Sequence, residues 1–244
     1  MIEVRGLAKA YGAVQAVSDV SLTAGNAAIT TLLGGNGSGK TTTLRAIAGL
    51  IRPDAGATTI DGVDARHDRI RALKRLGFFA DRFGLYPRLT VREHLELSAA
   101  VHGLAGPSLA NAVQHTITLL DLGSIADRRT AGMSQGQQVK CALGRAIVHR
   151  PANLILDEPT RGLDIFAVRL LRDLLKRLRG EGLCILMSSH IMAEVAELSD
   201  AITLIAHGRT AATGTPADIC ALAGTSTLED AIVALSTAPQ RNAA

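Results

Sequence analysis

The chain is predicted to fold as an α/β protein, with a mainly parallel sheet covered by helices on both faces and a helical subdomain inserted into it. Three observations predict this. Apolar, β-branched runs alternate with stretches of helical spacing over most of the chain. One such strand runs through a Gly-rich loop, Gly34 to Thr41, directly into a helical pattern. From about residue 82 to residue 150 the alternation gives way to successive helical patterns, and strand and helix resume at Pro151. Strands alternating with helices argue a sheet buried on both faces, whose ligands sit at the carboxyl ends of its strands.

Ile2-Glu3-Val4 reads as a short strand, and Val14 to Leu22 as a second, with Tyr11 and Gly12 between them. Ala28 to Leu33 is an apolar buried strand, followed after the loop by a helix from Thr42 towards Leu50, carrying Leu44 and Ile47 on one face. Pro53 to Gly56 is a turn, Thr58-Thr59-Ile60 a strand and Asp61-Gly62 another turn. Arg66, Arg69, Arg71, Lys74 and Arg75 crowd one segment, read as a solvated helix face, with a membrane- or acid-facing patch as the alternative. Leu76 to Ala80 is a buried strand. Thr90-Val91-Arg92-Glu93 is a capping box opening a helix to about His102; Pro107-Ser108 opens a second helix, and Ser134 a third, to about His149. Then come strand Leu154–Leu156, helix Phe166–Arg179, strand Leu183–Met187, helix Ile191–Leu198, strand Ala201–Ala206 and a last strand between Gly208 and Gly214. The tail after Pro216 is helical by pattern, with Leu228 to Leu235 suiting an amphipathic helix.

Composition sets outer limits. The 244 residues hold 47% hydrophobic side chains but no Trp, two Tyr and four Phe, so a core must be built from aliphatic residues. A net charge of +4 is too weak to argue for nucleic acid without a concentrated patch. Cys141, Cys184 and Cys220 have neither disulfide-framework nor metal spacing, which points to a reducing compartment. Met1 to Arg5 lack a signal pattern and no apolar run approaches a membrane span, so the chain is expected not to cross a bilayer itself.

The chemistry starts at Gly34-Gly35-Asn36-Gly37-Ser38-Gly39-Lys40-Thr41, which fits the phosphate-binding pattern G-x-x-x-x-G-K-[ST] in its required strand–loop–helix setting. Its glycines let backbone N–H groups turn inward at a helix start that favours anions. Lys40 would meet the outer phosphates, Thr41 would bring a hydroxyl to Mg²⁺, and Thr42 beside it is a further ATP-binding residue. Leu154-Ile155-Leu156 ends in Asp157-Glu158. A strand-end Asp suits the Mg²⁺ shell, and the adjacent Glu158 suits the orientation or deprotonation of an attacking water. Ser134-Gln135-Gly136-Gln137 is a capping box, either only that or a second anion site at a helix start. Asp164 is a helix N-cap on local grounds. His190, after Ser188-Ser189, is a structural or capping residue, or a residue sensing the terminal phosphate. Tyr11 is a turn residue or a ring that stacks on a base.

Taken together, these motifs resemble the ATP-binding cassette family. Met133-Ser134-Gln135-Gly136-Gln137 looks like that family's signature, usually Leu-Ser-Gly-Gly-Gln, and the order of aromatic residue, phosphate loop, helical insert, signature, acidic strand, Gly162-Leu163-Asp164 and strand-end His fits over about residues 2 to 215. The resemblance implies an ATPase domain over 1–223 with the helical subdomain about 82–150 inserted in a P-loop NTPase core, an N-terminal antiparallel β part, and a helical tail over 224–244. It implies that Tyr11 stacks on adenine, that Glu158 is the general base and that His190 is a switch near the γ-phosphate. It implies that Ser134, Gly136 and Gln137 contact ATP held by a second subunit, identical or not, with Asp164 in the loop crossing that interface. ATP and Mg²⁺ are the implied cofactors.

The sequence departs from the family pattern in three places. Asp81 stands where the family usually has a Gln that reaches Mg²⁺, and a carboxylate can still ligate that ion. Gln135 replaces the first signature Gly, and Gly35 stands where Pro is frequent. Gly84 to Glu93 and Arg145 to His149 resemble, more narrowly, the ATPases of two-component sodium exporters and their multidrug-export relatives. The implied role is to power a separate membrane permease from the inner face of the cell membrane, peripheral and cytoplasmic, with no nucleic-acid partner. The alternative is a soluble ATPase switch of the same family acting on a non-transport complex.

Overall fold

The computed structural model describes residues 1–81 and 83–237. The first position of the expected helical subdomain and the last residues of the expected tail lie outside them.

A single ten-stranded sheet organises the chain. Strands β1 (Ile2–Tyr11), β2 (Val14–Ala24), β4 (Ala55–Ile60) and β5 (Val63–Asp64) pair antiparallel at one end. Strands β3 (Ala28–Leu33), β6 (Leu76–Phe79), β7 (Asn153–Leu156), β8 (Cys184–Ser188) and β9 (Ala201–Ala206) form the parallel part, in the order β9-β3-β8-β7-β6. Strand β10 (Arg209–Gly214) joins the two parts, antiparallel to β9 and parallel to β2.

The parallel strands bury both faces, and their period of two distributes side chains between two cores. Leu154, Leu156, Ile185 and Met187 face one core, where they meet Val91, Leu95, Ile117, Leu143, Ile147, Leu171 and Leu175 of the helices on that side. Ile155, Cys184 and Leu186 face the other, with Leu44 and Ile47 and with Val4, Leu7, Val20 and Leu22 of the antiparallel strands. A third, smaller core joins Leu33, Ile202 and Leu204 to Val195, Ile219, Ala231 and Ile232.

Helices α1 (Lys40–Ile47), α2 (Arg69–Leu73), α3 (Val91–Val101), α4 (Gly106–Leu119), α5 (Gln135–Ile147), α6 (Ile165–Gly180), α7 (Met192–Leu198), α8 (Pro216–Ala223) and α9 (Leu228–Thr237) occupy the expected stretches. The capping boxes of Thr90 and Ser134 both form: Glu93 N–H donates to Thr90 Oγ1 at 3.1 Å, and Gln137 N–H to Ser134 Oγ at 3.3 Å. Helices α3, α4 and α5 all lie between β6 and β7, as the run of helical patterns predicts. Among the described residues no single helix is long and apolar enough to cross a membrane.

Three local readings need correction. Strand β1 runs on to Tyr11 instead of stopping near Val4, because register shifts after Val4, Leu7 and Lys9 break the alternation that marks a strand. Tyr11 therefore ends a strand. Helices α1 and α5 stop short of the expected ends, at Ile47 and Ile147. The basic segment contains only the five-residue α2; Arg66, Arg69, Arg71 and Lys74 are exposed, as a solvated face requires.

Candidate functional site

The carboxyl ends of β3, β6, β7 and β8 bring the phosphate loop, Asp81, Asp157-Glu158 and Ser188 to one edge of the sheet. Parallel register aligns them: Leu156 pairs with both Phe79 and Met187, and Leu32 with Ser188. At two positions of the loop after β3 only glycine fits. A Cβ at Gly34 would lie 2.3 Å from the Ile205 carbonyl oxygen, and one at Gly39 (φ 108°) would lie 2.7 Å from that of Ala16.

Lys40 is 7% exposed, and its Nζ donates to the carbonyls of Gly34 at 2.8 Å and Gly35 at 3.1 Å. Burial lowers its pKa, against the opposing pull of Glu158 and Asp157. Two loop carbonyls thus hold the ammonium in place beside the helix start.

Asp157 is 1% exposed. Its Oδ1 accepts from Ser188 Oγ at 2.8 Å and from Thr41 Oγ1 at 3.2 Å. Ser188 Oγ in turn accepts the Glu158 N–H at 2.9 Å, so one hydroxyl joins both carboxylate residues to β8. Glu158 has φ 49°, a left-handed conformation that costs a glutamate about 1–3 kcal/mol and persists only when neighbours hold it. Its Oε2 lies 2.7 Å from His190 Nδ1.

A cavity of about 710 Å³ opens onto this edge. Its wall holds Tyr11, every loop residue from Asn36 to Thr42, Asp81, Glu158, Arg161 and His190. Gly34 and Gly35 instead grip Lys40, and Asp157 lies beneath the wall, against the Thr41 hydroxyl. Tyr11 is 48% exposed, with Lys9 Nζ 5.6 Å from its ring centroid. Ser38 Oγ is buried in the loop without a hydrogen-bond partner among the described residues. The hydroxyl of Thr41 against the carboxylate of Asp157 is an all-oxygen donor pair of the kind Mg²⁺ takes alongside nucleotide phosphates, so these residues fit that ion. Asp81 is differently engaged. Its carboxylate pairs with Arg161 Nη1 at 3.2 and 3.1 Å and makes no hydrogen bond to Thr41 or Asp157.

Ser134, Gly136, Gln137 and Asp164 are not in this cavity. They line a separate groove of about 490 Å³ between α5 and α6, with Asp164 capping α6 through the Ala167 N–H at 2.8 Å. Within one chain the signature residues and the phosphate loop therefore lie in different cavities.

Ser188 belongs to the site although no motif marks it; its one signal in the sequence is its place at a strand end two residues before His190. Arg161 likewise stands outside any motif, as does Glu194, whose buried carboxylate accepts from Thr160 Oγ1 at 2.8 Å behind the Glu158 turn. Burial raises the Glu194 pKa.

The fold and the loop define a nucleotide-binding α/β protein with its phosphate loop at the sheet edge. Residues 17–161 match the family model described as ABC transporter, and the chain belongs to that family. It is 38% identical over 196 residues to the ABC transporter ATP-binding protein NatA of Bacillus subtilis (strain 168), covering 80% of each chain. It is 34% identical over 219 residues to a sulfate/thiosulfate import ATP-binding protein, CysA, of Synechococcus elongatus, covering 89% of this chain and 63% of that one. Among solved structures, an ATP-binding subunit of an ABC transporter superposes with a TM-score of 0.88 at 29% identity, over 97% of this chain and 100% of the other. A dimeric bacterial ABC transporter cassette superposes with a TM-score of 0.79 at 25% identity, over 88% and 98%. The mixed sheet flanked by helices is thus the fold of ABC ATPase cassettes, and membership of the family implies ATP binding and hydrolysis.

Proposed function

We propose that the chain is an ATP-hydrolysing subunit that powers a separate membrane permease, for export of the sodium or multidrug type, from the cytoplasmic face of the membrane. The observation that carries hydrolysis is the Glu158–His190 contact of 2.7 Å in the wall of the cavity that also holds the phosphate loop. In this reading Tyr11 stacks on adenine. The loop N–H groups from Gly34 through Thr42, with Lys40, bind the phosphates. Thr41 and Asp157 hold Mg²⁺, which when bound would neutralise charge on the phosphates. Glu158 accepts a proton from water, and His190 fixes the rotamer of its carboxylate. Lys40 is already desolvated and so meets a phosphate at low energetic cost.

Separation of the signature groove from the loop cavity supports a site completed in trans. Ser134, Gly136 and Gln137 of a second ATP-binding subunit would face the γ-phosphate, with Asp164 in the crossing loop. The domain would span 1–223, followed by a tail whose described part forms helix α9 (Leu228–Thr237). Export is supported by the resemblance of Gly84–Glu93 and Arg145–His149 to exporter ATPases.

Phosphate release by the purified chain with Mg-ATP tests this. Glu158→Gln is expected to cut the rate by more than about a hundredfold while ATP still binds. Full activity in Glu158→Gln would overturn the mechanism.

A further inference from the structure

The two departures from the family pattern that carry new side chains, Asp81 and Gln135, converge on one residue. Arg161 Nη1 pairs with both carboxylate oxygens of Asp81. The Arg161 carbonyl accepts Gln135 Nε2 at 3.2 Å, and Gln135 packs so closely on the next residue that a Cβ at Gly162 would lie 2.4 Å from that nitrogen. The Arg161 N–H closes a turn onto the Glu158 carbonyl at 3.1 Å. Arg161 therefore ties together the segment after β6, the start of α5 and the turn that presents Glu158.

This matters because of charge. Asp81 and Glu158 both line the cavity, and Asp157 lies just beneath it. A polyphosphate entering there adds several negative charges to three carboxylates. Glutamine at position 81 would add none, so the extra charge is a feature of this chain. Lys40 and Arg161 are the lysine and arginine in the cavity wall among the described residues. Lys40 is held by the Gly34 and Gly35 carbonyls, and Arg161 is the cation paired with Asp81.

We propose that Arg161 is a positioning residue that holds and neutralises the Asp81 carboxylate, so that the cavity accepts a polyphosphate despite the extra acid. The inference rests on the ATP-binding reading of the same cavity. Without Arg161 the carboxylate is free to turn towards the phosphates and repel them. Without Asp81, Arg161 is a 65% exposed side chain with its charge screened by salt, and its removal costs little.

The test is equilibrium binding of a fluorescent ATP analogue in EDTA, which keeps metal from masking the carboxylates. Arg161→Ala is expected to weaken binding about tenfold, as a coupled charged pair predicts. The double variant Asp81→Gln with Arg161→Ala returns to within about twofold of wild type, and Arg161→Lys, which keeps the charge, stays within the same range. A double variant as weak as Arg161→Ala overturns the proposal, because Arg161 then acts on the nucleotide or the fold directly. So does an Arg161→Ala chain that binds normally. A wild-type chain that fails to bind the analogue instead removes the ATP reading on which the proposal stands.

Discussion

Ser188→Ala removes one hydroxyl that the structure uses twice. The side chain is fully buried, donates to Asp157 Oδ1 at 2.8 Å and accepts the Glu158 N–H at 2.9 Å. A bond to an ionised acceptor is worth about 1.5–3 kcal/mol, and an orphaned N–H costs about 1–3 kcal/mol where water cannot reach it. Glu158 N–H is only part-buried, so the sum falls to about 2–4 kcal/mol of lost stability. The catalytic effect follows from geometry. Glu158 is held at φ 49°, and its backbone loses one of the bonds that keep it there. A carboxylate displaced by a fraction of an ångström to an ångström lowers turnover by about 10- to 100-fold. Urea unfolding at unchanged m-value gives the first number, and steady-state phosphate release gives the second. A Ser188→Ala chain that loses less than about 0.5 kcal/mol and keeps its full rate would refute the idea that this hydroxyl sets the two carboxylates.

Two further perturbations probe other parts of the account. His149 stacks on His102 at 3.5 Å between ring centroids, and burial, with the His102 charge second, pushes its pKa down to about 4. The unfolded imidazole takes up its proton below about pH 6.5 while the folded one resists until about pH 4, so stability is full above pH 6.5 and falls as pH drops through this window. His149→Phe keeps a ring against His102 and is expected to flatten the change in urea midpoint between about pH 7 and about pH 5; an unchanged slope would assign the acid sensitivity elsewhere. Gly34→Ala places a methyl group 2.3 Å from the Ile205 carbonyl oxygen, so a loss of about 2–4 kcal/mol in urea unfolding is expected, together with weaker nucleotide binding.

The parts of the fold legible in the sequence are those fixed over a few residues. Strand β3, the phosphate loop and α1 follow from one apolar run, a glycine pattern and helical spacing, and the Thr90 and Ser134 capping boxes follow from two residues each. Strand β1 was only half legible, because its irregular register against β2 hides Leu7 from any strict alternation. The site divides in the same way. Lys40, Asp157 and Glu158 stand in motifs whose spacing carries the chemistry. The Asp81–Arg161 pair joins residues on loops after two different strands, and the Ser188 bridge depends on a hydroxyl facing sideways from β8 to β7. Such contacts depend on the packing of the sheet edge, which local spacing does not encode. The separation of Ser134 from Lys40 into two cavities likewise emerges only once α5 and the loop after β3 have places in space.

The claim that the phosphate loop is half of a site is tested most directly at Ser134, which lies outside the cavity of its own chain. The measurement is phosphate release against protein concentration for wild type and Ser134→Arg, with ATP-analogue binding measured alongside. If a second chain completes the site, activity per chain rises with concentration in the wild type, while Ser134→Arg binds ATP normally and loses at least about a hundredfold in rate. A Ser134→Arg chain that hydrolyses ATP at the wild-type rate, or a wild-type rate per chain that is independent of dilution down to the monomer, would contradict it.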